Sequence, residues 1–203
     1  MYRHHPQALK VKELVETGAI GKLQLIRGSF TYNMKTDIDI RLNPEMGGGS
    51  IWDVGCYPIS YARFIAGVEP VEVFGQQVTG STGIDDSFFG QMKFPNDIYA
   101  QFDSGFRSPY RTHFEVVGTE GTITVSSPFI KLKTNEVITL YREDKTETIK
   151  IPKQDLYLGE VEDMADAILL GKTPRVSLAD SRANVAAIVA LLESAKIGKP
   201  VNL

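Results

Sequence analysis

Between Val71 and Ile151 the chain breaks into short runs rich in Val, Ile, Phe, Thr and Tyr, joined by connections as short as Pro95-Asn96-Asp97 and Gly118-Thr119-Glu120-Gly121. Parallel neighbours need a crossover of a dozen or more residues, so connections this short force antiparallel pairing. Seven strands are expected here, at Val71–Thr79, Asp86–Phe94, Ile98–Phe106, Thr112–Val117, Thr122–Val125, Val137–Tyr141 and Thr146–Ile151, with an earlier one at Leu23–Asn33. Helices are expected on either side. Pro6 is placed to open one that runs to about Thr17, with Gly18 as its stop. In Ser50–Ala66, Ile51, Val54, Pro58, Ala62 and Ile65 follow a 3.6-residue period, and Pro58 implies a kink or a break. Two more helices follow at Gly159–Leu170 and Ser177–Lys196, the second opened by the capping-box pattern Ser177-Leu-Ala-Asp180. Segregated helices and strands predict an α+β fold: a large, predominantly antiparallel open sheet with helices packed on one face. No internal repeat or linker divides residues 1–203, so a single domain is expected.

Composition narrows the function classes. With 42% hydrophobic and 23% charged residues, the chain is built to bury a core, and the single Cys56 has no partner for an internal disulfide. The net charge is -3 and no Lys/Arg run is present, which argues against nucleic acid as a partner. No apolar run approaches the ~20 residues that span a bilayer, and Met1–Pro6 lacks the apolar stretch of a secretory signal, so no membrane partner is expected and the cytoplasm is the default compartment. No Gly-x-Gly-x-x-Gly turn is present to cradle a pyrophosphate, since Gly47-Gly48-Gly49 has the wrong spacing. Three histidines and one cysteine offer no metal-ligand spacing, and no Gly-x-Ser-x-Gly elbow occurs. Neither a metal nor a cofactor is expected on this chain by itself.

The block Gly47-Gly48-Gly49-Ser-Ile-Trp-Asp53-Val-Gly55-Cys-Tyr57-Pro-Ile-Ser-Tyr-Ala-Arg63-Phe-Ile-Ala-Gly67 resembles the segment that opens the active-site helix in the C-terminal domain of the Gfo/Idh/MocA oxidoreductases. The resemblance continues in order through Tyr2-Arg3-His4-His5-Pro6, Gly18-Ala-Ile-Gly21, Phe102-Asp103, His113 to Gly121 and Ser194-Ala-Lys-Ile-Gly198. It implies that a Rossmann domain of about 120 residues, with the glycine fingerprint and a Glu-Lys-Pro motif whose lysine assists catalysis, precedes the matching segment in relatives. This N-terminal dinucleotide-binding domain is absent from the chain. Tyr57 stands where many members carry His. That places the chain nearest the tyrosine-type branch of glucose-fructose oxidoreductase, dihydrodiol dehydrogenase and xylose dehydrogenase, which implies NADP or NAD in the full-length enzyme and a sugar, polyol or cyclic diol as substrate.

Oxidising a secondary alcohol requires a hydride acceptor, which the cofactor supplies, and a base for the hydroxyl proton. The resemblance makes Tyr57 a catalytic candidate, its phenol pKa of about 10 to be lowered by the lysine of the other domain. Its bland reading is an ordinary half-buried helix aromatic. Asp53 lies four residues earlier, on the same face of a regular helix, where it either orients the reacting groups or answers the helix macrodipole. Arg41 is a candidate substrate clamp or a solvated arginine, and Arg3 and His5 are candidate substrate contacts or surface groups near the interdomain crossing. In the Leu23–Asn33 strand, Ile26, Phe30 and Tyr32 alternate with Leu23 and Leu25, so both faces carry apolar groups. A homodimer through the open sheet face is therefore expected. Two functions follow: the substrate-binding and oligomerisation domain of an NAD(P)-dependent oxidoreductase, inactive alone, or a stand-alone, non-catalytic domain that binds a sugar-like ligand or a protein.

Overall fold

The computed structural model describes residues 1–36, 38–130, 136–143 and 145–203. After a 3-10 turn at Tyr2–His4, helix α1 spans Pro6–Glu16, with Pro6 in its first turn and His5 Nδ1 accepting the Gln7 N–H at 3.2 Å. Strand β1 is Leu23–Asn33. A π-helical turn at Ile51–Gly55 then runs into α2, Cys56–Ala66, which Gly67 ends in the left-handed conformation. Strands β2 (Glu72–Thr79), β3 (Asp85–Lys93), β4 (Tyr99–Gly105), β5 (Arg107–Gly118), β6 (Thr122–Val125), β7 (Glu136–Arg142) and β8 (Lys145–Ile151) follow. Helices α3 (Leu158–Leu170) and α4 (Leu178–Ile197) and the two-residue strand β9 (Val201–Asn202) complete the chain.

Among the described residues, nine strands form one sheet, in the order β8-β7-β6-β5-β1-β4-β3-β2-β9. Each consecutive pair from β2 to β4 and from β5 to β8 is antiparallel, as short connections require. The exception lies at the centre, where β1 inserts between β4 and β5, parallel to the first and antiparallel to the second. Only Phe106 separates β4 from β5. The chain crosses the end of β1 at this residue, whose carbonyl accepts the Met34 N–H at 2.9 Å and whose own N–H donates to Asp86 at 2.8 Å. A short connection here therefore spans two strand spacings instead of making a hairpin, and β5 begins five residues before the expected Thr112.

One face of the sheet is apolar. Val73, Met92, Ala100, Ile26, Val116, Ile123 and Leu140 form a buried row across β2, β3, β4, β1, β5, β6 and β7. Helices α1, α2 and α4 lie on this face, against β7, β1 and β2. Close approach is what seats α2: a Cβ on Gly28 of β1 would meet Pro58 Cβ at 2.6 Å, so only glycine admits the helix there. Pro58 causes no break. It lies in the first turn of α2, directly after the π turn, where a missing N–H is tolerated. The opposite face begins β1 with half-buried Leu23 and Leu25 and then turns polar. Ser29 donates to Asp103 at 2.5 Å, Asp103 pairs with Arg111, and Arg27 pairs with Glu115 at 3.6 Å.

Candidate functional site

The three glycines build a tight turn in which Gly48 and Gly49 leave no room for a side chain. Gly47 and Gly49 have φ of 71° and 127°, and a Cβ on Gly48 would sit 2.5 Å from the Arg41 carbonyl. The Gly48 and Gly49 N–H groups donate to Asn43 and Arg41 carbonyls, each at 2.9 Å, so the loop folds back and fixes the backbone of Arg41. A Cβ on Gly49 would overlap Asp85 Oδ1. Asp85 is buried at the start of β3, and its Oδ2 accepts from Ser50 Oγ at 2.7 Å and from the Ile51 N–H at 2.8 Å. Burial pushes its carboxyl above the usual carboxylate range, against the opposing pull of those bonds. Asp85 thereby anchors the first turn of the segment that carries Asp53 and Tyr57.

Asp53 sits at the centre of a polar relay. Its Oδ1 accepts from Arg41 Nε at 2.8 Å and its Oδ2 from the Tyr32 hydroxyl at 2.9 Å, while Arg41 Nη1 reaches Asp39 at 3.2 Å. Burial, and then the bond to Asp53, raise the Tyr32 phenol, and the bond to Asp53 leads the rise at Arg41. Asp39 is held below its ordinary value, first by the Arg41 backbone N–H. A hollow of about 180 Å³ opens beside Asp53, lined by Ile40, Arg41, Met46, Trp52 and the glycine turn.

Tyr57 points into an aromatic nest. Its half-buried ring stacks on Tyr2 at 5.6 Å and meets Phe30 and Phe129 edge-on at 5.3 and 5.7 Å. The Tyr2 hydroxyl donates to the Tyr57 carbonyl at 2.8 Å, pinning the backbone. Among the described residues the Tyr57 phenol has no hydrogen-bond partner. Burial pushes its pKa up, with Cys56, Asp53 and Tyr157 adding to the rise and Arg41 partly offsetting it. A phenol in this state is a neutral donor at pH 7, and a cation delivered to it would be needed to make it a base.

The structure joins Asp53 to Arg41 directly and keeps both within electrostatic range of Tyr57. The expected alignment of Asp53 with Tyr57 is modified by the π turn between them: the carboxylate goes to Tyr32 and Arg41, the phenol to the aromatic nest. Arg3 lies on the far side of Tyr2. It is buried, donates to Ser60 at 3.2 Å and Asp180 at 2.6 Å, and packs its guanidinium over Phe64. His5 is buried at the α1 N-cap. Tyr32, Tyr2 and Asp85 are the site residues that sequence reasoning missed. Tyr32 was legible as the next inward residue after Phe30, whereas nothing around Asp85 distinguishes it from its neighbour Asp86.

Residues 8–124 match the GFO/IDH/MocA C-terminal domain. Over its whole length the chain is 32% identical to a D-xylose 1-dehydrogenase (NADP(+)) of Haloferax volcanii and covers 63% of that protein. Over 89% of its length it is 29% identical to a dTDP-3,4-didehydro-2,6-dideoxy-alpha-D-glucose 3-reductase of Actinomadura kijaniata, covering 55% of it. The chain thus spans little more than half the length of these curated relatives. All of it superposes on 62% of an aldose-aldose oxidoreductase from Caulobacter crescentus complexed with glycerol, with a TM-score of 0.91 and 22% identity. A 3-ketoreductase from Actinomadura kijaniata in complex with NADP and TDP-benzene matches with a TM-score of 0.87 and 26% identity, over 95% of this chain and 60% of that one. Both likenesses agree with the expected fold class. Matched by the domain family over more than half its length, the chain belongs to the Gfo/Idh/MocA oxidoreductases, as a C-terminal domain.

Proposed function

We propose that the chain is the substrate-binding and oligomerisation domain of an NADP- or NAD-dependent oxidoreductase that acts on a sugar, polyol or cyclic diol, and that alone it turns nothing over. The observation that carries this reading is the Tyr57 phenol, half-buried and unpartnered among the described residues, within electrostatic range of an Asp53–Arg41 pair that lines an open hollow. When bound, a nicotinamide supplies the hydride acceptor. The groups on this chain fit the substrate end of such a transfer: a phenol to hold or take the hydroxyl proton, and a guanidinium and a carboxylate to orient sugar hydroxyls. The names of the relatives, a xylose dehydrogenase and a dTDP-sugar reductase, support a sugar substrate and NADP.

In this reading Tyr57 moves the proton, Asp53 orients through Tyr32 and Arg41, and Arg41 reaches substrate with the face of its guanidinium not bound to Asp39 and Asp53. Arg3 and His5 border the site and act by fixing the Tyr2–His4 turn under Tyr57. Among the described residues no helix is long and apolar enough to cross a membrane. A cytoplasmic protein that dimerises through the open sheet face is part of the proposal.

The test joins a nucleotide-binding half to the chain and measures turnover of an aldose with NADP. Tyr57→Phe keeps the ring packing and is expected to lose 10²- to 10⁴-fold in kcat, the usual range for general acid–base catalysis. Turnover within about threefold of the parent makes the phenol a packing group and defeats the assignment. A joined protein that binds aldose but never oxidises it supports the stand-alone binding domain instead.

A further inference from the structure

The loop 38–46 is fixed by polar bonds, yet it holds apolar side chains out to solvent. Asp39 Oδ1 accepts the Arg41 N–H and Asn43 Oδ1 the Glu45 N–H, each at 2.9 Å, and the Gly48 and Gly49 N–H groups close back on Asn43 and Arg41. On this frame Ile38, Ile40 and Met46 are 93%, 60% and 64% exposed. Single exposed apolar residues are ordinary, whereas three that converge on one cavity call for an occupant. With Leu42, Pro44 and Thr82, the last from the turn between β2 and β3, they line a hollow of about 600 Å³.

This hollow adjoins the candidate site. Ile40 and Met46 also line the smaller hollow beside Asp53 and Arg41, so a molecule lying against Asp53 can extend past these two side chains into the larger space. The chemistry changes on the way. Asp53 and Arg41 offer a carboxylate and a guanidinium to hydroxyl groups, while the larger hollow is walled mainly by hydrocarbon and carries one charge, Asp39, which Arg41 Nη1 meets at 3.2 Å. Among the described residues that line it, none is basic.

We propose that the hollow between loop 38–46 and the β2–β3 turn binds an uncharged apolar substituent, alkyl or aryl, which the sugar or cyclic diol carries away from its reacting hydroxyl. The inference rests on the function proposed above and narrows its substrate class. Size agrees: clefts of roughly 300 to 1,000 Å³ enclose drug-sized ligands, and the hollow beside Asp53, at about 180 Å³, falls below that range without the larger one. Charge selects the occupant. A nucleotide sugar, of the kind named for the Actinomadura relative, would set its diphosphate against Asp39 with no lining cation to receive it. A second copy of this chain seated on the loop would close the way to Asp53.

The test titrates the isolated chain with methyl and hexyl β-D-xylosides and with thymidine diphosphate. Trp52, the single tryptophan, lines the smaller hollow, so its fluorescence reports occupancy. Each fully buried methylene is worth about fourfold in affinity, so five more of them in a hollow open to solvent should give the hexyl glycoside a gain of about tenfold or more over the methyl one. Ile38→Asn, at an exposed position that lines only the larger hollow, should lower that gain about threefold or more and leave methyl glycoside binding as it was. Ile168→Asn, at an exposed position of α3, should leave the gain intact, which separates the hollow from bare apolar surface elsewhere. The proposal is overturned by equal affinities for the two glycosides, by no detectable binding of the hexyl glycoside, by a gain that Ile38→Asn leaves undiminished, or by thymidine diphosphate binding the more tightly. A hexyl affinity that falls as protein concentration rises would make a second copy the occupant and overturns it too. Because binding is read without turnover, a hexyl preference in a chain that stays inactive when joined to a nucleotide-binding half defeats the catalytic reading and leaves the pocket standing. Turnover of an aldose without any hexyl preference does the reverse.

Discussion

Replacing Gly49 by alanine tests the account of the glycine turn, with Gly47→Ala as its internal control. Both residues have positive φ, but a Cβ at Gly47 meets nothing within 4 Å, while one at Gly49 overlaps Asp85 Oδ1. The control therefore costs only the left-handed backbone of a non-glycine residue, about 1 to 2 kcal/mol. At Gly49 the backbone strain is about 1 to 3 kcal/mol. Displacing Asp85 then weakens its bonds from Ser50 and Ile51, at about 1 kcal/mol each. The sum is about 3 to 5 kcal/mol. Less the control's cost, about 1 to 4 kcal/mol separates the two variants, so at roughly 2 to 4 °C per kcal/mol for a chain of this size Gly49→Ala should melt about 2 to 16 °C below Gly47→Ala. Differential scanning calorimetry of the isolated chain, with urea midpoints as a second measure, reads the gap. Two variants that melt within about 2 °C of each other would mean that Asp85 gives way freely and does not anchor the site helix.

Two further outcomes follow from the same surfaces. Burial raises the folded pKa of Asp85 above its unfolded value near 4, so the folded state holds that proton more tightly; this contribution to stability is present below the unfolded pKa and lost as pH rises through the folded one. Asp85→Asn, which retains an acceptor for Ser50 and Ile51, should gain stability relative to the parent as pH rises from about 4, and urea midpoints whose difference stays flat with pH would refute the assignment. On the open sheet face, Phe89 is half exposed over a hollow lined by Phe74, Gln76, Gln91 and Gln101. The chain is expected to dimerise there, giving dimer mass by light scattering at about 50 µM and monomer mass for Phe89→Glu, and monomer for the parent at that concentration would count against it.

Elements whose signal is local were legible. Leu23–Asn33 has the bounds read from its alternation, and Ser177 accepts the Asp180 N–H at 3.0 Å as its pattern predicts. Asp180 does not complete the capping box; its carboxylate goes to Arg3, a partner 177 residues away that no local pattern encodes. The parallel β1–β4 pair was hidden for the same reason, since alternation names the faces of a strand and not its neighbours. The general expectation that short connections pair neighbouring strands holds elsewhere in the meander and fails between β4 and β5, where β1 claims the edges of both. At the candidate site, Asp53 and Tyr57 are named through the block around the glycines and Arg41 just ahead of it, while the direct Arg41–Asp53 bond and the separate setting of Tyr57 come with the π turn, a local departure from the regular period that Pro58 signals only faintly. The bonding of Arg3 and His5 was out of reach of the sequence, because a buried arginine and a surface one look alike until the acid that pairs with it is known.

The central place of β1 also sets the order in which the molecule can be made. Ile26 pairs with Ala100 on one side and Val116 on the other, so neither edge of the first strand finds its partner until the chain has grown by 74 and 90 residues beyond Ile26. At typical ribosomal rates of about 5 to 20 residues per second, the wait is on the order of 4 to 20 seconds. For that interval Ile26, Phe30 and Tyr32 belong to an open edge able to add strands from any neighbouring chain. Folding is then slowed by topology, because the contacts that close the centre of the sheet join residues 74 and 90 positions apart. The yield of native protein in a cell is accordingly governed by whatever shields this nascent strand, and it should respond to lower growth temperature and added chaperone more than to substitutions that raise the final stability.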